Sequence, residues 1–348
     1  MKMLAARLYG KEQLKMEHIG RPVINKDEIL LEVKSSFVCG TDVRMYKNGH
    51  PDATLESPLI LGHELSGVIA EVGSDVEHYR NGMRVAVAPN MGCGICDLCV
   101  SGNTHLCDNY RALGINLDGG FAQYVRIPGA AVRQGNVIEL KEGVTFKEAA
   151  LAEPLSCVYN AFEKCDTRMG DTVLIVGSGP IGIMHAMLAR AAGASKVIIN
   201  DLLEDRLDMC KKFDPGIITL AGGDIKNKIM KETYGRGLDV CITACPSVAV
   251  QEASLDLMAV NGRVIFFGGL PKGSKANLDT NIIHYKQLVV SGTTRASMIQ
   301  FRKTLDLITA NVVNVKKLVS ASFHIEEFGK ALDNASKGIG LKNEIVFA

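Results

Sequence analysis

At 348 residues the chain is long enough for two domains with sizeable buried cores. Hydrophobic residues make up 47%, charged ones 22%, and 35 glycines are present, which excludes a disordered or fibrous chain and fits a soluble α/β protein with many tight turns. Lys and Arg number 39 against 38 Asp and Glu, so the net charge of +1 gives no electrostatic pull toward nucleic acid or an anionic membrane, and a small-molecule ligand is expected.

The start, MKMLAARLYGKEQLK, offers only a four-residue apolar run before Arg7, too short for a secretory segment. No later stretch reaches the roughly 18 apolar residues of a membrane span, so a cytoplasmic protein is expected. From Met1 to about Gly143 the runs EILLEVKSS, LSGVIAEVG, MRVAVAP and FAQYVRIP read as short strands broken by turn residues, the pattern of a compact β-barrel-like unit. Beyond it TVLIVG, KVIIND, GIITL, LDVCITAC and GRVIFFGG alternate with the helical stretches PIGIMHAMLARAAG, LEDRLDMCKKF, IKNKIMKETYG and SVAVQEASLDLMA. That alternation predicts βαβ units and a doubly wound parallel sheet. FRKTLDLITA and EEFGKALDNASKG read as further helices, and NEIVFA as a closing strand.

Within the first part, Cys93, Cys96, Cys99 and Cys107 form C-x2-C-x2-C-x7-C, a spacing that lets four thiolates converge on one tetrahedral ion. A structural zinc lobe is expected, closed to chemistry; a chance cluster of surface thiols is the alternative. Cys157, Cys165, Cys210, Cys241 and Cys245 stand in apolar or helical contexts and read as buried reduced thiols.

Directly after the strand TVLIV comes Gly177-Ser178-Gly179-Pro180-Ile181-Gly182, a G-x-G-x-x-G turn opening a helix. The glycines permit the tight turn, the approach of a pyrophosphate and close helix–strand packing, and the helix N-terminus supplies N–H donors. The next strand ends at Asp201, 19 residues after Gly182, where a carboxylate binds ribose hydroxyls and repels a 2′-phosphate, so NAD is favoured over NADP. Arg206 either stacks near the adenine or only solvates its helix.

Cys39-Gly40-Thr41-Asp42 and Gly62-His63-Glu64 are ambiguous singly, since a lone buried Cys or His is more often a satisfied core residue than a ligand. In combination, Cys39-Gly-Thr-Asp, Gly62-His63-Glu64, the cysteine lobe, Asp118-Gly-Gly-Phe121, Ala152-Glu153-Pro154-Leu155 and the Gly-rich turn resemble the zinc-containing medium-chain dehydrogenases in order and type, most nearly the sorbitol (polyol) dehydrogenase branch. The resemblance spans nearly the whole chain, to the tail Lys337-Gly-Ile-Gly-Leu-Lys342.

It implies a GroES-like catalytic domain over 1–155 with the zinc lobe at about 89–109, a Rossmann NAD-binding domain over 156–293, and a return to the catalytic domain over 294–348. By the same resemblance Cys39, His63 and Glu153 are catalytic zinc ligands, Glu64 is a ligand that swaps with water or substrate, and the protein is a homodimer or homotetramer. Independently, Cys, His and Glu are acceptable zinc donors, and a catalytic site needs three with a fourth position open. For Glu153 a carboxylate serving only the helix N-terminus is the alternative. Zinc lowers the pKa of a bound alcohol, hydride passes to the nicotinamide, and Thr41 is expected to take the alcohol proton.

One departure is Arg44, standing where relatives carry a relay histidine; a guanidinium cannot deprotonate, so water, ribose hydroxyls or His50 must carry the proton outward. Arg44, Lys47, Arg111 and Arg295 could hold a substrate phosphate, and Arg295 aligns with a cofactor- or water-binding arginine of the resembled branch. The expected activity is NAD-dependent oxidation of a secondary hydroxyl of a polyol or polyol phosphate to a ketone. L-threonine oxidation and a non-catalytic NAD-binding relative are the alternatives.

Overall fold

The computed structural model describes residues 2–223 and 225–347. The chain divides into two compact units, one made of 1–156 and 296–348, the other of 157–295.

In the first unit the strands 137–139, 84–87, 64–72, 29–37, 342–346 and 319–324 lie side by side in that order, and 124–127 pairs with 29–37. Alternating apolar residues of Ile29–Phe37, all buried or half-buried, make it the central strand. A three-stranded sheet carries the hairpin Lys2–Gly10/Gln13–Gly20. The sequence reading had no strand there, because the hairpin turns through Glu12 at φ 58° rather than through an Asn-Gly signal. The strands Val319–His324 and Val289–Gly292 were likewise not anticipated. One core of this unit gathers Leu8, Leu61, Phe121, Phe328 and Ile345 among others, with the Phe121 and Phe328 rings 4.6 Å apart.

The second unit is a six-stranded, wholly parallel sheet in the order 218–221, 196–201, 172–176, 238–243, 258–266, 289–292. This order reverses direction between 172–176 and 238–243, which defines the switch point of a doubly wound fold. The run SVAVQEASLDLMA is helical only over Val248–Ser254; a 3-10 turn follows at Leu255–Leu257, and Met258 already begins the strand to Phe266. Burial of Met258 and Ala259 in the sheet core outweighs their helix propensity. Arg263 crosses from this strand to Asp171 at 2.8 Å. No helix among the described residues is long and apolar enough to cross a membrane.

Phe328 is fully buried, so Phe328→Ala should cost about 3–5 kcal/mol of the first unit's stability. Denaturant titration followed by circular dichroism checks this.

Candidate metal centre and dinucleotide turn

The register of the central strand gathers the candidate metal ligands. Phe37 pairs with Glu64 on one side and with Glu344 on the other. Two residues past Phe37, Cys39 caps the helix Gly40–Asn48; one residue before Glu64 stands His63; two before Glu344 stands Lys342. Donor atoms of Cys39, His63 and Glu64 all lie within 4.8 Å of one another. The turn into His63 runs through Gly62 at φ +96°, where an added Cβ would sit 2.9 Å from the Phe121 ring. This explains the Asp118-Gly-Gly-Phe motif: Asp118 Oδ1 accepts from Ile60 N–H, and the Gly120 and Phe121 N–H groups donate to Gly62 and Leu61 carbonyls.

Buried side chains complete the set. Asp42 Oδ2 accepts the Cys39 N–H at 2.8 Å, and its Oδ1 lies 3.5 Å from His63 Nδ1. That contact leaves Nε2 as the imidazole nitrogen available to a cation, the usual arrangement of a carboxylate behind a metal-binding histidine. Burial opposes charge on His63, yet Asp42 and Cys39 raise its pKa well above the ordinary value. A site that so favours a positive charge on the ring is one where a cation competes with the proton. Lys342, 4% exposed, donates to Glu64 Oε1 at 2.6 Å and lies 2.5 Å from Oε2. Burial would lower the Lys342 pKa; Glu64, Cys39 and Glu153 raise it instead.

Glu153, on the first turn of the helix Ala152–Cys165, is buried and near enough to act on Lys342, but it is outside the group of donors within 4.8 Å. Thr41 is half-buried, and its Oγ1 accepts from Arg44 Nη2 at 3.2 Å. Among the described residues Arg44 has no ion-pair partner. Asp42 and Lys342 stand in the Cys39-Gly-Thr-Asp and Lys337-Gly-Ile-Gly-Leu-Lys342 motifs, and the i+3 spacing of Asp42 from an N-cap is the local signal for the first. Nothing local marked Lys342, which is 278 residues from its partner.

The four lobe cysteines also converge, with Sγ atoms 4.0 Å apart for Cys93–Cys99 and 3.8 Å for Cys96–Cys107. A tetrahedron with Zn–S bonds of about 2.3 Å has edges of about 3.8 Å, so the thiols fit zinc and are far too separated for disulfides. Backbone N–H groups of Ile95 and Cys96 pull the Cys93 thiol down to about 6, while burial pushes Cys99 up to about 12.

In the second unit Gly177 leaves its strand at φ +113°, and Gly179 caps the helix Pro180–Ala191 with proline at its start. A Cβ on Gly182 would lie 1.9 Å from the Gly177 carbonyl, so only glycine lets helix and turn pack. The Ser178 N–H and hydroxyl donate to Asp201 Oδ2 at 2.8 and 2.6 Å, and Leu203 N–H donates to Oδ1. Burial works against ionisation of Asp201, but these donors and Arg206 hold its pKa below the usual carboxylate range. Arg206 thus acts on Asp201, an effect neither sequence alternative included. Arg295 takes φ 56°, and its carbonyl accepts from Asn160 Nδ2 at 2.9 Å.

A converged cysteine lobe, a Cys–His–Glu cluster and a doubly wound sheet with a Gly-rich turn define a zinc-binding dehydrogenase. Residues 25–141 match the alcohol dehydrogenase GroES-like domain family and 180–310 the zinc-binding dehydrogenase family. The chain belongs to the zinc-binding alcohol dehydrogenase family. It is 32% identical over 345 residues to a sorbitol dehydrogenase of Bacillus subtilis (strain 168), covering 98% of this chain and 95% of that one. To an L-threonine 3-dehydrogenase of Bacillus licheniformis it is 32% identical over 335 residues, 94% of each chain. A Sinorhizobium meliloti 1021 structure bound to NADP superposes with a TM-score of 0.90 at 28% identity, covering 99% of both chains.

Breaking a buried ion pair from one side leaves an uncompensated charge, so Lys342→Met should lower stability by about 3–5 kcal/mol. The double variant with Glu64→Gln should recover much of it, as read by denaturant titration. Metal analysis should find about two zinc ions per chain, falling to about one in either Cys39→Ser or Cys99→Ser.

Proposed function

We propose that the protein is an NAD-dependent zinc dehydrogenase that oxidises a secondary hydroxyl of a polyol to a ketone. The observation that carries the reading is the convergence of Cys39, His63 and Glu64 in a chain that also ties its Gly-rich turn to Asp201. Cys39 and His63 would hold the zinc, with a carboxylate from Glu153 or Glu64 as further donor. Bound there, zinc supplies the positive charge that lets an alcohol lose its proton near neutral pH, and NAD supplies the hydride acceptor.

Asp42 orients the His63 ring, and Lys342 lies against both oxygens of Glu64, so a cation that took Glu64 as a donor would compete with Lys342 for that carboxylate. Thr41 would receive the alcohol proton on its oxygen and release its own. Arg44 donates to that same oxygen and accepts nothing, so the released proton goes to water or to another acceptor. An ionised Asp201, held so by Ser178 and Leu203, would accept the ribose hydroxyls and repel a 2′-phosphate; the NADP-bound neighbour makes this a point to test.

A second reading, oxidation of an alcohol that carries a carboxylate or a phosphate, such as L-threonine or a polyol phosphate, is favoured by Arg44, which has no ion-pair partner among the described residues, and by the threonine dehydrogenase relative. From the resemblance we also propose a cytoplasmic homodimer or homotetramer, which light scattering would size.

Sorbitol, iditol, their phosphates and L-threonine, each offered with NAD and NADP, should yield NADH from at least one alcohol. Cys39→Ser should abolish turnover and leave NAD affinity intact. Asp201→Gly should move the NAD/NADP ratio of kcat/KM toward NADP on the order of tenfold. Absence of reduced cofactor with every alcohol would end the reading.

A further inference from the structure

The chain enters the cysteine lobe along an edge whose carbonyls are held by two side-chain amides. Asn136 Nδ2 donates to the Ala88 and Asn90 carbonyls, each at 2.7 Å, and Gln134 Nε2 donates to the Gly92 carbonyl at 2.7 Å. Ala88, Asn90 and Gly92 are alternate residues, so the two amides stand where a neighbouring strand would pair. Gln134 also accepts: the Gly92 N–H donates to its Oε1 at 3.3 Å. Both amides come from outside the lobe. Gln134 ends the helix Gly129–Arg133, the Gly135 carbonyl beside it accepts from Arg302 Nη2 at 2.6 Å, and the Asn136 carbonyl accepts the Ala88 N–H at 2.9 Å.

Gly92 is the point at which this edge meets the thiols. It is buried, and an added Cβ would lie 2.4 Å from Cys99 Sγ and 3.2 Å from Cys107 Cβ. Its carbonyl shares a peptide plane with the Cys93 N–H, which donates to Cys107 Sγ at 3.3 Å. A trans peptide points its C=O and N–H in opposite directions, so a donor that fixes the carbonyl also aims the N–H. Four thiolates around a divalent ion carry surplus negative charge, which N–H donors of this kind offset.

We propose that Gln134 is a positioning residue for the lobe metal: by holding the Gly92 carbonyl it sets the Gly92–Cys93 peptide plane, and with it the hydrogen bond to the Cys107 sulfur. The assignment rests on the zinc reading of the lobe and is independent of the substrate. Gln134 meets Gly92 with a donor and an acceptor at once, which an amide side chain can do and a carboxylate cannot. Glu at this position keeps the acceptor and loses the donor; Met loses both.

The test is the rate at which the zinc-loaded protein gives up its metal to a chromogenic chelator, for wild type, Gln134→Glu and Gln134→Met. Cys99→Ser identifies the lobe ion as the release phase it lacks. Both Gln134 variants should release the lobe zinc on the order of 10- to 100-fold faster and leave the other zinc within about twofold of its wild-type rate. In the cobalt-substituted protein the thiolate-to-metal absorption of the lobe should shift in both. Unchanged release of the lobe ion in both variants, equal acceleration of both ions, or an unaltered cobalt spectrum would overturn the assignment. If Gln134→Met does not fold, Gln134→Glu, of nearly the same volume, carries the comparison. A Cys99→Ser protein that holds as much metal as wild type would instead remove the zinc lobe on which the assignment stands.

Discussion

The strand Ile29–Phe37 is pinned on both sides, with Phe37 opposite Glu64 in one ladder and Glu344 in the other. That double pairing fixes the candidate metal centre, because Cys39, His63, Glu64 and Lys342 each lie within two residues of a paired position. Strand side chains alternate between faces, so a slip of one residue in either ladder would carry Glu64 or Lys342 to the opposite side. The turn before His63 is tied down as well, by the backbone bonds from Gly120 and Phe121 to Gly62 and Leu61.

A centre held so tightly brings charges out of water, and they must compensate one another. Glu64 and Asp42 are fully buried, and Lys342 is 4% exposed. Lys342 answers Glu64, while Asp42 serves two groups at once, the Cys39 N–H and the His63 ring. Leaving any one of these charges alone would cost several kcal/mol, about the scale of breaking a buried ion pair. The set therefore has a stable arrangement that also keeps a thiol, an imidazole nitrogen and a carboxylate within reach of one cation.

The second unit solves a related problem with backbone donors. Its Gly-rich turn and the acid at the end of the next strand are not independent parts: Ser178 binds Asp201 through both its amide and its hydroxyl. The protein's own donors thus orient the carboxylate and hold its pKa below the usual carboxylate range.

Features written at short range could be read from the residues alone. The x2 spacings of the lobe cysteines, the six-residue Gly-rich turn with Asp201 following, and the alternation of strand and helix after Gly143 depend on neighbours in sequence, where chain geometry dictates the outcome. The Cys39 and His63 motifs were legible through their order along the chain and their resemblance to a family. Only tertiary structure shows how the acids are arranged: Glu64 offers a donor in one group with Cys39 and His63, Asp42 lies behind them, and Glu153 acts on Lys342. It alone revealed Lys342 as the partner of Glu64 and His185 as a buried ring edge-on to Phe267. Those outcomes depend on strand register and on burial, which are set by pairing between segments tens to hundreds of residues apart and leave no trace in local pattern.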